Sequence, residues 1–206
     1  MKNSRINTGL ISDIRNAADL IRRGGIVVYP TETVYGIGCD PFNSDACRRV
    51  REIKRRDEDK PFILIAATID MVARLVDKMA PPVENLAHAF WPGPLTMVLK
   101  PGPAVPLYLL GPNGGLAFRV TPHPVAEGLS SEIGGPLVST SANRSGETPV
   151  VTYDEAVRQF GGLADAVVDN PLAIEGKPST VLDMTGEKPV IIRHGGVSDE
   201  DIKGVL

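Results

Sequence analysis

The sequence predicts a single α/β domain built around a mixed β-sheet. In the first half of the 206 residues, amphipathic helical segments alternate with short β-branched segments, the pattern of a sheet covered by helices. In the second half, several strand segments follow one another too closely for helical crossovers, so some strands must run antiparallel. With 42% hydrophobic and 23% charged residues, the composition is that of one ordinary globular domain. We therefore expect one domain over 1–206 and no additional carboxyl-terminal domain.

The first half contains the strongest secondary-structure signals. Apolar residues at helical spacing predict a first helix that ends at Gly24 and Gly25, because glycine readily adopts the left-handed conformation of a helix end. A β-branched strand follows and runs into an extended segment that starts at Pro30. In chain order the prediction is helix 12–23, strand 26–29, extended segment 30–36, helix 43–53, strand 62–66, helix 68–79 and a short apolar segment 83–90.

The second half is dominated by strands. Residues 100–115 include four glycines and four prolines, too many for regular structure, so we interpret them as a binding loop or a lid. Thr152 and Glu155 have the spacing of a reciprocal helix cap and predict a helix start. The predicted strands of this half are 95–99, 116–120, 136–140, 179–184 and 190–193.

The composition also excludes several classes of protein. The longest purely apolar run covers only 62–67, far below the ~20 residues of a membrane span, and the amino terminus lacks a hydrophobic secretory stretch. Cys39 and Cys47 are too few for a disulfide framework, which favours a reducing, cytoplasmic location. A sequence pI near 5.7 argues against general coating of DNA or RNA.

One short segment concentrates positive charge. Residues 48–60 contain seven Lys/Arg and four Asp/Glu, a local charge of 7 − 4 = +3 in a chain whose formal charge is −3. Lys54 and Arg56 point together if the helix has ended by about Ile53, and the turn before Pro61 then brings Lys60 close. These spacings favour convergence on a polyphosphate.

Strand alternation places several hydroxyl groups on common faces. Because residues two apart share one side of a strand, Ser139, Ser141 and Asn143 line one wall, opposite Thr140 and its neighbours. Thr31, Thr33 and Tyr35 share a face in the same way, and so do Ser179 and Val181. The alternative for the Ser139–Asn143 wall is a strand end whose hydroxyl groups cap the backbone.

Two arginines stand out in otherwise apolar strands. Alternation sends Leu116, Phe118 and Val120 into a core and leaves Arg119 on the opposite face, while Arg193 ends an apolar strand. An uncompensated buried charge costs about 3–5 kcal/mol, so Arg119 must be paired.

Other sites are excluded by their spacing. The segment 176–180 resembles the end of a phosphate-binding P-loop, but Pro178 interrupts the lysine–hydroxyl pair. No dinucleotide-binding glycine motif follows the first strand, and no serine-protease-like triad is singled out. The three histidines His88, His123 and His194 have no metal-ligand spacing and are interpreted as structural.

Five ordered motifs together resemble the YrdC family of threonylcarbamoyl-AMP synthases. They are the segment 30–36, the Lys54-x-Arg56-x-x-x-Lys60-Pro61 cluster, Arg119 before Pro122, the run 139–143 followed by Ser145-Gly146, and the segment 178–181. The resemblance covers about 25–195. It implies a single α/β domain whose twisted mixed sheet, flanked by helices, curls around a deep concave cleft.

The resemblance also implies roles for individual residues. The threonine contacts it implies are Thr33, Arg119, Ser139 and Ser179, and Ile65 corresponds to a position in the threonine pocket. The nucleotide contacts it implies are Lys54, Arg56, Lys60, Ser141, Asn143 and Arg193, with Gly115 and Pro149 near the adenosine and Lys54 and Arg56 as the catalytic pair.

The implied reaction joins L-threonine, bicarbonate and ATP into threonylcarbamoyl-AMP and pyrophosphate. Mg²⁺ would be held mainly through the ATP phosphates, with no metal site on the protein. The product would serve a separate transferase complex that modifies tRNA. Three alternatives stay open: direct binding of tRNA or double-stranded RNA, a carbamoyl-adenylate-forming domain as in hydrogenase maturation, and a catalytically silent paralogue.

Overall fold

The computed structural model describes residues 10–55, 61–144, 147–169, 174 and 176–206, with side chains from residue 13 onwards. Within these residues the helices are α1 Leu10–Arg22, α2 Ser44–Lys54, α3 Ile69–Ala73, α4 Pro81–Phe90, α5 Pro124–Ile133, α6 Tyr153–Phe160 and α7 Asp199–Val205, together with a 3-10 helix at Leu107–Leu109. The strands are β1 Val27–Pro30, β2 Tyr35–Cys39, β3 Ile63–Ala66, β4 Leu95–Leu99, β5 Leu116–Val120, β6 Leu137–Ser141, β7 Ala166–Val167, β8 Thr180–Asp183 and β9 Val190–Arg193.

All strands of the described residues belong to one sheet, in the order β7-β1-β2-β6-β3-β5-β4-β8-β9. Antiparallel pairs join β1 to β2, β6 to both β2 and β3, β4 to β5, and β8 to β9. Parallel pairs join β1 to β7, β3 to β5, and β4 to β8. The predicted single α/β domain with a mixed sheet flanked by helices is therefore confirmed.

Helices cover both faces of the sheet. On one face, α1 and α5 pack over a cluster that includes Tyr29, Ile65 and Leu137. On the other face, α2, α4, α6 and α7 pack over a larger cluster that includes Leu64 and Phe118. Leu116, Phe118 and Val120 all belong to this second cluster, so the predicted alternation of β5 is confirmed, and Arg119 faces the opposite side.

The ends of the first two helices follow from local sequence. Gly24 has φ +80°, and the N–H of Gly25 donates to the oxygen of Leu20 at 2.8 Å, so α1 ends where the glycine pair predicts. The Asn43 side chain caps α2 by accepting from the N–H of Ala46 at 3.0 Å. Helix α2 continues to Lys54, past the predicted end at Ile53, and stops because Arg55 is left-handed with φ +50°.

The predicted helix over 68–79 is wrong beyond its first turns. The helix covers only Ile69–Ala73, because the following segment pairs with the loop after β4. Val76 forms a β-bridge with Pro101, and the N–H of Asp77 donates to the oxygen of Lys100 at 3.0 Å. Strand-like pairing therefore replaces the last helical turns.

Several elements were not predicted: β2, α5, β7 and α7. The predicted extended segment 30–36 reaches only the first two residues of β2, whose glycines Gly36 and Gly38 give it a low strand propensity. A Cβ at Gly38 would lie 2.6 Å from Cε1 of Tyr29, so glycine allows the aromatic ring to cross β2 closely.

The loop over 100–115 is held at several points. Leu109 is fully buried, the Tyr108 hydroxyl donates to the oxygen of Pro41 at 2.9 Å, and Asn113 Nδ2 donates to Asp183 Oδ2 at 3.2 Å. Closure of this loop over a ligand stays a prediction.

In the part of the chain that the structure describes, no helix combines the length and apolar character needed to cross a membrane.

Candidate active site

A cavity of about 140 Å³ lies where β2, β3, β5 and β6 meet the segments before β2 and β8. Its lining combines hydroxyl groups, aliphatic side chains and two guanidinium groups. Among the described residues the lining consists of Thr31, Thr33, Val34, Tyr35, Gly36, Ile63, Ile65, Arg119, Ser139, Thr140, Ser141, Pro149, Pro178, Ser179 and Arg193.

Most of the predicted site residues converge on this cavity. They come from seven separate segments of the chain and are Thr33, Ile65, Arg119, Ser139, Ser141, Pro149, Ser179 and Arg193. The predicted common face of Thr31, Thr33 and Tyr35 also lines it. Arg56 and Lys60 lie outside the described residues.

Three predicted residues are described but lie outside this lining: Lys54, Asn143 and Gly115. Gly115 is buried immediately before β5, and a Cβ there would lie 2.5 Å from Cγ1 of Val98. Its smallness therefore serves packing between strands. Thr140, predicted on the face opposite Ser139, also lines the cavity, one residue before the end of β6.

Arg119 is the most deeply placed charge in the cavity, with 7% of its side chain exposed. Its Nη1 donates to Thr33 Oγ1 at 3.1 Å, and its Nε lies 3.3 Å from Oε1 of Glu32. The carboxylate is also buried, and its Oε2 accepts from the Thr121 hydroxyl at 2.6 Å. The predicted pairing of Arg119 is confirmed, and Glu32 is the partner.

The hydrogen bonds around Thr33 determine which further hydrogen bond its hydroxyl group can form. The Thr31 hydroxyl donates to the oxygen of Val34 at 2.6 Å, which uses its single hydrogen. The contact of 3.0 Å between the two threonine hydroxyl groups is therefore donated by Thr33. Since Thr33 Oγ1 also accepts from Arg119, it retains one lone pair, which suits a donor such as an ammonium or hydroxyl group.

A second network organises the far wall of the cavity. Arg193 donates from Nε and Nη2 to the oxygen of Ser179, at 3.1 and 2.9 Å, and from Nη2 to Ser179 Oγ at 3.0 Å. The Ser179 hydroxyl also contacts the Thr96 hydroxyl at 2.8 Å. Burial, and then the nearby charge of Arg119, lowers the pKa of Arg193. The two guanidinium groups therefore lie close enough to repel each other, although Arg193, unlike Arg119, is exposed to solvent.

Lys54 links the end of α2 to the turn after β6. Its Nζ donates to the backbone oxygens of Ser141 and Asn143 and to Asn143 Oδ1. Asn143 Oδ1 also accepts from the Ser141 hydroxyl, and Asn143 Nδ2 donates to the oxygens of Arg144 and Glu147. These bonds hold the Asn143 side-chain amide within the turn that follows β6. Asn143 therefore does not extend the predicted wall of Ser139 and Ser141.

Sequence reasoning missed three polar residues that support the site: Glu32, Thr96 and Thr121. Thr96 is the single polar residue of an apolar strand, and Glu32 stands between two threonines, so both carried a local signal. The signal did not identify their partners. Thr96 contacts Ser179, which is 83 positions away, and Glu32 contacts Thr121, which is 89 positions away.

The chemistry of the lining favours a small, negatively charged or zwitterionic ligand. Two arginines and several hydroxyl groups line the described part of the cavity, with no carboxylate among them. Its volume is below the ~300–1,000 Å³ of sites for drug-sized ligands. Among the described residues, no group of three or more His, Cys, Asp or Glu is arranged to hold a metal ion.

The fold and this cavity define the class: a single α/β domain that gathers arginines and hydroxyl groups from separate strands around a small-metabolite site. The Sua5/YciO/YrdC family model, described as telomere recombination, matches residues 19–195. The chain belongs to this family.

Curated relatives align over most of both chains. This chain is 45% identical to the threonylcarbamoyl-AMP synthase of Methylococcus capsulatus over 176 residues, covering 85% of this chain and 95% of that relative. It is 43% identical to the threonylcarbamoyl-AMP synthase of Halorhodospira halophila over 170 residues, covering 82% and 89% of the two chains.

Solved structures share the fold. P. abyssi Sua5 complexed with L-threonine superposes with a TM-score of 0.91 at 34% identity, covering 97% of this chain. The matched region is 58% of that longer Sua5 chain. E. coli YciO superposes with a TM-score of 0.85 at 26% identity, covering 95% of both chains.

Proposed function

We propose that this protein synthesises threonylcarbamoyl-AMP from L-threonine, bicarbonate and ATP, releasing pyrophosphate. The observation that carries the proposal is the buried Arg119, held by Thr33 and Glu32 in a cavity that also contains Ser139 and Ser179. The names of the curated relatives and the threonine complex of Sua5 support the same activity.

Threonine binding follows from the donors and acceptors that remain available. Arg119 Nη2 has no hydrogen-bond partner among the described residues, and we assign it to the threonine carboxylate, since charge-assisted hydrogen bonds are the strong ones. The remaining lone pair of Thr33 then accepts from the ammonium or hydroxyl group. Ser139 and Ser179 provide further hydroxyl contacts, and Ile65 gives an apolar wall for the methyl group.

The chemical steps require positioning and charge neutralisation. The threonine amine combines with bicarbonate to give a carbamate and water, and a carbamate oxygen then attacks the α-phosphorus of ATP while pyrophosphate leaves. This is a nucleotidyl transfer, and it is accelerated by cations placed around the phosphates. We assign that role to Lys54, Arg56, Lys60 and Arg193, with Ser141, Asn143, Gly115 and Pro149 shaping the nucleotide site.

The nucleotide would bring its own metal ion. Mg²⁺ usually sits on nucleotide phosphates and waters, using few protein ligands. We therefore treat Mg²⁺ as part of the ATP substrate, held mainly by its phosphates.

The product defines the downstream partner. Threonylcarbamoyl-AMP is a mixed anhydride-like adenylate that hydrolyses readily, so a transferase that acts on tRNA must consume it soon after release. We place the activity in the cytoplasm, where ATP, bicarbonate and tRNA are all present.

The test is pyrophosphate release from ATP by the purified protein. We expect release that needs both L-threonine and bicarbonate and that yields an AMP-linked threonylcarbamoyl product by mass spectrometry. Arg119→Lys should raise the threonine KM, because an ammonium group cannot replace the planar guanidinium. Arg15→Lys, an exposed change on α1, is the control. A rate of pyrophosphate release that does not depend on the threonine concentration would refute the proposal.

A further inference from the structure

Behind the cavity lies a buried acid that the substrate does not touch in the proposed function. Glu32 is 9% exposed and is absent from the described lining of the cavity. Its Oε1 lies 3.3 Å from Nε of Arg119, and its Oε2 accepts from the Thr121 hydroxyl at 2.6 Å. The carboxylate therefore contacts the Nε edge of the guanidinium from outside the described lining of the cavity.

The two charged atoms depend on each other. Within the described residues, Glu32 Oε1 and Arg119 Nε have no hydrogen-bond partner. The opposite charges of this ion pair offset the cost of burying the two groups. Thr121 holds the other carboxylate oxygen, so the carboxylate cannot rotate away without losing a buried hydrogen bond. The position of Nε is thereby fixed from two directions, by Glu32 and through Nη1 by Thr33.

The charge of Glu32 also matters for the second arginine. Arg119 and Arg193 both line the cavity, and the charge of Arg119 adds to the effect of partial burial in lowering the pKa of Arg193. A carboxylate behind Arg119 offsets this repulsion. It leaves the described part of the cavity with a net charge of about one positive unit, contributed by Arg193, which suits a zwitterion together with one small anion.

We propose that Glu32 is a positioning residue that acts through Arg119: it holds the guanidinium with Nη2 directed at the amino-acid carboxylate. This inference rests on the proposed function and adds a residue to it. Glu32 is expected to control the affinity for threonine without contacting threonine, and to have little influence on the affinity for the nucleotide.

The direct test is Glu32→Gln, which keeps the shape and the acceptor for Thr121 but removes the charge. We expect the threonine dissociation constant, measured by calorimetry without ATP, and the threonine KM to rise at least about tenfold, while the KM for ATP stays within about twofold. Thr121→Val, which frees the carboxylate without removing it and also removes the acceptor of the His123 N–H, should raise the threonine KM about threefold. Ser130→Ala is the matched control, because Ser130 is a buried hydroxyl with two backbone hydrogen bonds away from the cavity.

A double-mutant cycle separates positioning from general damage. If Glu32 acts only through Arg119, Glu32→Gln should add less than about twofold to the threonine KM in an Arg119→Lys background. Additive effects would overturn the inference. So would equal rises of the threonine and ATP constants in Glu32→Gln.

The remaining outcomes are also decisive. A wild-type protein that makes the adenylate, combined with a Glu32→Gln variant of unchanged threonine affinity, refutes the role of Glu32 and leaves the proposed function standing. A wild-type protein that binds no threonine refutes both. If Glu32→Gln does not fold, Thr121→Val decides, and unchanged threonine affinity in that variant refutes the inference.

Discussion

The ammonium nitrogen of Lys54 lies 2.9 Å from the backbone oxygen and 3.1 Å from Oδ1 of Asn143, although the two residues are 89 positions apart. A third bond to the oxygen of Ser141 completes the three donors of the ammonium group. Lys54 therefore joins the end of α2 to the turn after β6. Any contact with a nucleotide phosphate must exchange at least one of these bonds or share its hydrogen.

Replacing Lys54 should destabilise the fold as well as impair catalysis. Lys54→Met leaves the backbone oxygen of Asn143 without its described donor, while Ser141 O and Asn143 Oδ1 keep one each, and we expect the free energy of unfolding to fall by roughly 1–3 kcal/mol. Arg48→Met, on the exposed face of the same helix, removes only surface ion pairs and should leave the stability nearly unchanged. Urea unfolding of both variants checks this, and equal losses would contradict the role of Lys54 in the turn.

Removing the Thr33 hydroxyl should affect threonine more than ATP. Thr33→Val deletes the acceptor of Arg119 Nη1 and the remaining lone pair, and a hydrogen bond to a charged group contributes about 1.5–3 kcal/mol. We expect the threonine KM to rise roughly 10–100-fold. Thr33→Ser keeps the hydroxyl and should restore most of the affinity, so the idea fails if the serine and valine variants behave alike in steady-state kinetics.

Gly195 is expected to tolerate no side chain. A Cβ there would lie 2.3 Å from the carbonyl carbon of Ser179 and 2.4 Å from Pro178 O and Thr180 N, all of them backbone atoms. Gly195→Ala should therefore cost roughly 1–3 kcal/mol of stability by overpacking and weaken substrate binding through displacement of Ser179. Gly204→Ala, in α7 with open space around it, should be neutral or slightly stabilising. Thermal unfolding of the two variants, compared side by side, gives the answer.

His123 should make the protein sensitive to acid. Its Nδ1 accepts from the N–H of Val125, and burial lowers its pKa below the ordinary 6.5. As the pH falls through 6.5, the unfolded chain takes up a proton before the folded chain does, so the free energy of unfolding falls.

His123→Asn keeps a helix cap and removes this proton uptake. Between pH 7.5 and pH 5 we expect the variant to lose less stability than the wild type in urea titrations. Parallel pH profiles for the two proteins would rule out a contribution from His123.

The sequence predicted directions within strands better than partners between them. The bounds of β5, and the position of Arg119 on the face opposite Leu116, Phe118 and Val120, follow from alternation, which is a local property, and both are confirmed. The need for a partner was also predicted from the cost of a buried charge. Glu32 was not identified, because periodicity carries no information about which residues meet across 119 − 32 = 87 positions of chain.

Local competition explains the remaining differences. Alternation directed the Asn143 side chain towards the wall of Ser139 and Ser141, but Lys54 offered a buried donor and drew the amide oxygen into the turn. In the same way, pairing of Val76 with Pro101 overrode the helical periodicity of its segment. Both outcomes depend on residues distant in sequence, which helix and strand propensities do not include.

The cavity has a consequence for synthesis on the ribosome. Its walls need Thr33 from the segment between β1 and β2 and Arg193 from the edge strand β9, which are 193 − 33 = 160 positions apart. Arg193 can reach Ser179 only after β9 has paired with β8. A nascent chain therefore cannot complete this cavity until residue 193 has left the ribosomal exit tunnel and β9 has joined the edge of the sheet.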